Sequence, residues 1–164
     1  MADIMIRKRK RLRSKEVKAY SEELQNVLGI AAFTQDDAVD LAESSEFNVI
    51  YVNGEILAMV YQGRTFLTVR GLLKYKPLTK FVTVDMGAVP YVTNGADIMG
   101  PGIVDADPMI KEGDMVWIRD IKNLVPLAIG ISSLSGEELK KGSKGKAIKT
   151  LHNVGDKLWR ADEK

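Results

Sequence analysis

Apolar positions follow a helical spacing early in the chain and an alternating one afterwards. Val17, Tyr20, Leu24, Val27 and Leu28 share one helical face, which predicts a helix from Ser14, a residue type favoured at N-caps, to a stop at Gly29. Thr34-Gln35-Asp36-Asp37 has the shape of a capping box and predicts a short helix through about Glu43 that buries Ala38, Leu41 and Ala42. The period then falls to two. Phe47–Val52 and Ile56–Tyr61 flank Asn53-Gly54, whose tolerance of positive φ suits a tight hairpin turn. Gln62-Gly63-Arg64 turns the chain again into a strand over Thr65–Val69. Ahead of all this, Arg7–Arg13 holds too few apolar residues to fold alone, and reads either as a flexible arm or as an edge strand with its charges outward.

The second half is patterned differently. Phe81–Val84 reads as a strand, and Asp85 as the cap of a short helix through Ala88, Val89 and Val92 that stops at Asn94-Gly95. Glycine and proline then crowd Gly95–Ile103. Two further strands, Met115–Arg119 and Leu124–Ile131, follow Gly113-Asp114. Ser135-Gly136-Glu137-Glu138 is another capping box, for a helical turn ending at Gly142, and a last strand runs from Lys146 towards His152. Short strands divided by glycine- and proline-rich turns describe a small barrel. Pro126 inside one of them points to an edge or a bulge. The fold class is therefore α+β: a small N-terminal α+β domain over residues 1–77, a mostly β domain over 78–158, and a tail at 159–164. The boundary falls at Lys74-Tyr75-Lys76-Pro77, where charge and proline meet.

Charge sharpens the picture. The net +2 conceals segregation: eight bases against two acids in residues 1–20, one base against eight acids in 21–69, and eight bases against three acids in 140–164. The two ends are either solvated faces or anion-binding ones, and the acidic middle suits a protein partner better than RNA. No apolar run approaches the roughly 20 residues of a membrane span, and no apolar core follows the charged start as in a signal peptide. A cytoplasmic protein without membrane contact is expected.

Candidate catalytic chemistry is thin. There is no cysteine and a single histidine, His152, which excludes disulfides and thiolate metal sites and leaves no cofactor or metal implied. His152 has Asp156 four residues on, but Gly155 breaks any helical register between them, so it reads as a structural or peripheral histidine. Gly95-x-x-x-x-Gly100-x-Gly102 lacks the Lys-Ser/Thr of a P-loop. Its glycines either solve tight turns or let the backbone approach a partner closely. Tyr91, Trp117 and Trp159 are the aromatic candidates for stacking on bases, with core packing the alternative for both tryptophans.

Val84-Asp85-Met86-Gly87-Ala88, Val92-Thr93-Asn94-Gly95-Ala96-Asp97-Ile98-Met99-Gly100-Pro101-Gly102-Ile103 and Lys144-Gly145-Lys146-Ala147-Ile148 together resemble the PUA domain, the RNA-binding module named for pseudouridine synthases and archaeosine transglycosylases, over about residues 79–155. The ending Lys146–Trp159 resembles a narrower group, the malignant T-cell-amplified sequence proteins and their archaeal relatives, which carry an extra domain ahead of PUA. The resemblance implies a pseudobarrel whose helix, glycine-rich loop and last strand face RNA. It implies contacts by Gly87, Ala88, Gly95, Ala96, Asp97, Met99, Gly100, Pro101, Gly102, Lys146, Lys149 and Thr150, with Gly100 and Gly102 keeping the loop low, and either RNA contact or core packing for Ile98, Ala147 and Ile148; Tyr91 joins the candidates as an aromatic ring suited to stacking. Arg7, Lys8, Arg9, Lys10 and Arg11 are candidate phosphate contacts.

The expected function is binding of structured RNA, tRNA or small-subunit rRNA, in translation initiation or ribosome recycling, without enzymatic activity. Two alternatives are an accessory PUA subunit of a tRNA-modifying enzyme such as archaeosine transglycosylase, and a protein-interaction scaffold built on the acidic first domain.

Overall fold

The computed structural model describes residues 4–162, which form two compact units. The first comprises the chain up to Pro77 together with the stretch from Lys157, and the second is Leu78–Asp156.

In the first unit, β1 (Arg7–Arg11), β2 (Val39–Glu43), β3 (Asn48–Val52), β4 (Glu55–Tyr61) and β5 (Arg64–Leu67) form one antiparallel sheet in that order. α1 (Ser14–Leu28) buries Val17, Leu24 and Leu28, and Gly29 ends it in the left-handed conformation at φ 68°. Ser14 is the first helical residue and not the cap: the chain enters from extended Arg13, whose N–H donates to the Glu16 carboxylate. The Asn53-Gly54 turn has φ values of 52° and 90°, as a tight hairpin of this hand requires. Arg7–Arg11 is an edge strand with all five side chains exposed.

The helix expected over 34–43 is absent. Thr34 and Asp37 do make their local bonds, Asp36 N–H to Thr34 Oγ1 and Thr34 N–H to Asp37 Oδ2, but they close a turn. Asn53 then takes the Ala38 N–H, and Val39–Glu43 pairs with β1 on one side and β3 on the other. Two ladders of backbone hydrogen bonds outweigh the local helical preference. α2 (Val69–Tyr75) is a further helix that the apolar pattern does not predict; Thr68 caps it by accepting the Gly71 N–H. Where the sequence suggests a tail, α5 (Lys157–Ala161) belongs to the first unit. The Arg70 guanidinium lies 3.8 Å from the centre of the Trp159 ring and donates to the Trp159 carbonyl, while Asp162 accepts the Ile56 N–H. Glu163 and Lys164 of that tail, and residues 1–3, lie outside the described residues.

The second unit is a six-stranded sheet in the order β7-β11-β10-β9-β6-β8. These are β6 (Phe81–Val84), β7 (Ile98–Met99), β8 (Ile103–Ala106), β9 (Met115–Asp120), β10 (Pro126–Ser132) and β11 (Lys146–Asn153). Only β6 and β9 run parallel. Val82, Val84, Ile98, Val116, Ile118, Ala128, Leu139 and Ile148 fill its core. Pro126 opens β10 beside a register shift, so its missing N–H falls where the ladder is already irregular. α3 (Val89–Thr93) and α4 (Gly136–Lys140) complete it, the latter closed by a reciprocal Ser135–Glu138 capping box.

Gly71 is where α2 meets β4 backbone to backbone: a Cβ there would lie 2.0 Å from the Leu57 carbonyl oxygen. Gly71→Ala therefore forces the helix off the sheet, and thermal unfolding should show a loss of about 2–3 kcal/mol. An unchanged melting temperature would mean that this contact yields freely.

Candidate nucleic-acid interface

Asp85, just past the end of β6, pins two neighbouring segments. Its N–H donates to the Gly102 carbonyl at 2.9 Å, and its Oδ1 accepts the Ala88 N–H at 2.9 Å. The turn thus leads into α3 while holding the 3-10 turn Gly100–Gly102 against the strand end. The far end of α3 is held from β11: Asn153 Nδ2 donates to the Thr93 carbonyl at 3.0 Å, and Gly95 turns the chain at φ 88° close to the same side chain. Beyond it, Asp97 Oδ1 accepts the Thr150 N–H at 2.9 Å, and the Thr150 hydroxyl donates to the Ala96 carbonyl at 2.9 Å. Lys146 Nζ stands 3.4 Å from Asp97 Oδ2.

Between these anchors lies an open groove of about 390 Å³, lined by Asp85, Gly87, Ala88, Tyr91, Val92, Asp97, Ile98, Met99, Pro101 and Gly102. Its walls are mostly apolar, and the Tyr91 side of it is open: that residue is 69% exposed, with Met99 also exposed. An exposed ring over an apolar slot is suited to stacking on an unpaired base.

The RNA-contact candidates named from the sequence thus fall into four groups. Gly87, Ala88, Tyr91, Asp97, Met99, Pro101 and Gly102 line the groove. Gly95, Ala96, Lys146 and Thr150 build its supports, while Lys149 is exposed on β11 and forms no ion pair among the described residues. Gly100 has an internal role: it is buried, donates to the Gly145 carbonyl, and a Cβ on it would stand 1.9 Å from the Ser143 carbonyl oxygen. That same contact brings the Gly142–Gly145 loop, with exposed Lys144, against the start of the 3-10 turn. Lys144 is not among the candidates named from the sequence, because nothing local reveals that its loop seats on Gly100.

Arg7–Arg11 lie on β1 in the first unit, where Arg9 and Arg11 bond Asp40, and Arg7 and Lys8 stand 3.8 Å from Glu43. The acidic middle is correspondingly engaged: Glu23 accepts the Thr65 N–H, and Asp37 the Thr34 N–H and an Asn53 N–H. Trp117 is buried with its Nε1–H on the Thr79 carbonyl, and the Trp159 ring packs against the Arg70 guanidinium in the first unit. His152 and Asp156 do meet, through a turn instead of a helix. Nδ1 lies 2.9 Å from Oδ2, with the histidine only 1% exposed. Among the described residues no cluster of three or more histidine or acidic side chains is arranged to hold a metal.

Residues 80–154 match the model of the PUA domain. The chain is also 30% identical over 128 residues to Malignant T-cell-amplified sequence 1 of Rattus norvegicus, spanning 75% of this chain and 70% of that one. It belongs to the PUA domain proteins of that group. An uncharacterized protein of Methanocaldococcus jannaschii is 42% identical over 94% of this PUA protein and 96% of its own length. Translation machinery-associated protein 20 of Saccharomyces cerevisiae is 29% identical over 90% and 84%. A solved structure of a hypothetical protein from Pyrococcus horikoshii, 37% identical, superposes with a TM-score of 0.84 over 94% of this chain and 99% of that one.

Asp97→Ala removes the acceptor for Thr150 N–H and frees Lys146. We expect a loss of about 1–3 kcal/mol and faster hydrogen exchange at the Thr150 amide than at the amides of β9. Unchanged exchange at Thr150 would mean the carboxylate does not hold the loop.

Proposed function

We propose that this protein is a non-enzymatic RNA-binding factor of cytoplasmic translation, acting in initiation or ribosome recycling. It holds tRNA or small-subunit rRNA against the groove between α3, β7 and the Gly100–Gly102 turn, with β11 as the supporting strand. The observation that carries this reading is the exposed Tyr91 ring over an apolar slot whose supporting strand and loop bear Lys144, Lys146 and Lys149. The name of the yeast relative, a translation machinery-associated protein, supports the setting.

In this reading Tyr91 stacks on an unpaired base, and the lysines meet flanking phosphates. Backbone groups of Gly87 and Gly102 come close to the ligand because no Cβ stands in the way. Asp85 and Asp97 lie in the same groove, but each carboxylate is already engaged in holding the loop. Recognition then depends on shape, stacking and phosphate charge more than on a dense hydrogen-bond code.

Crosslinking the protein to total cellular RNA and sequencing the bound fragments should enrich tRNA ends or small-subunit rRNA. Tyr91→Ala should weaken binding by about 1–3 kcal/mol. Lys149→Ala should weaken it less and shallow the dependence of log K on log salt by about 0.7–0.9. Wild-type affinity and slope in both variants would move the interface elsewhere, and enrichment of tRNAs sharing one modified position would favour a role in tRNA modification.

A further inference from the structure

The first unit carries a second arrangement of charged groups. Along β1, Arg9 and Arg11 stand two residues apart, and both reach the same carboxylate. Arg9 Nε lies 2.8 Å from Asp40 Oδ2, and Arg11 Nε 2.5 Å from Oδ1. Asp40 is 7% exposed and sits on β2 directly opposite Arg11 on one side and Tyr51 on the other. The Arg9 guanidinium lies 3.7 Å from the centre of the Tyr51 ring. Burial pushes the Asp40 carboxyl up, but the hydrogen bonds from Arg11 and Arg9 outweigh it and hold the group below its ordinary value. Asp40 is therefore a fixed anion at neutral pH.

One arginine would suffice to neutralise that carboxylate. Two leave a net positive charge, and both engage Asp40 through Nε. Their side chains remain 46% and 66% exposed, and Arg9 is held further by a side-chain hydrogen bond to Tyr51. A guanidinium held at Nε presents its terminal N–H groups with little remaining freedom, which suits the tetrahedral oxygens of a phosphate. Lys10, between the two arginines in sequence, forms no ion pair among the described residues, so the strand also contains a basic residue without this anchoring.

We propose that Arg9 and Arg11, oriented by Asp40 and Tyr51, clamp one phosphodiester group of the RNA backbone, as a contact made by the first unit in addition to the PUA groove. The inference rests on the RNA-binding reading above and extends it to a domain that the PUA match does not cover.

The test uses the full-length protein and labelled total cellular RNA, which contains tRNA and small-subunit rRNA alike, titrated over a salt series. Arg9→Gln with Arg11→Gln should lower affinity about tenfold at about 0.1 M salt. It should also reduce the salt slope by about 0.7–0.9, the release expected for one phosphate. Arg7→Gln with Lys10→Gln removes the same charge from the same strand and should cost much less. Asp40→Asn separates orientation from charge: it makes the strand more positive, so a diffuse field predicts tighter binding, whereas a clamp that has lost its anchor binds more weakly. Circular dichroism melts check that Asp40→Asn remains folded, and the exposed Arg9/Arg11 pair decides the matter if it does not. Equal losses in the two double variants, or tighter binding by Asp40→Asn, would overturn the clamp. A wild-type protein that fails to retain RNA would overturn the RNA reading with it, while loss on Tyr91→Ala without loss on the Arg9/Arg11 pair would sink the clamp alone.

Discussion

The groove of the second unit depends on the hold that β11 keeps on the loop after α3. Asp97 accepts the Thr150 N–H, Thr150 donates to Ala96, and Asn153 donates to Thr93, so three residues of the loop and helix end hang from two positions on one strand. Without these bonds Gly95–Asp97 would be a loop with no buried apolar side chain of its own before Ile98–Met99 pairs with β11. With them, Tyr91 can stand exposed over the slot while its own helix stays fixed. Polar bonds carry the positioning here because the groove-facing side chains must remain open to solvent and cannot lock one another by packing.

Close backbone approach does related work elsewhere. Gly100 lets the Ser143 carbonyl come into contact with the 3-10 turn, Gly130 gives the Lys149 carbonyl similar room on β10, and Gly136 seats α4 against the Asp107 carbonyl. In each case a side chain would separate two segments far apart in sequence. The glycines of the motif are thus divided between opening a surface to a ligand and permitting internal contact, and spacing alone does not say which is which.

That division marks how far the chain can be read without its fold. The Asn53-Gly54 hairpin and the Ser135–Glu138 capping box are legible because their physics is complete within four residues. The strand β2 is not: Thr34 and Asp37 make the bonds their sequence suggests, yet pairing with residues 7–11 and 48–52 decides the conformation of Val39–Glu43. α2 is hidden in the same way, its start resting on Thr68 and its fit on the bare Gly71 backbone. Within the site, the groove residues are named through the family pattern of glycines and the Ala96-Asp97 pair. Lys144 is not, since its position depends on a contact between loops more than 40 residues apart. Trp159 is equally obscure, because its partner Arg70 lies in the middle of the chain.

The irregularity at Lys8 has a bearing on self-association. β1 is the last strand of its sheet, and its outer edge offers backbone groups to any extended chain. Lys8 adopts φ 55°, and the pairing register slips between Arg7 and Lys10, so that edge is bent away from a regular ladder. Five consecutive basic side chains then repel a second copy of the same strand. Bend and like charge together disfavour ladder pairing of two copies along this edge.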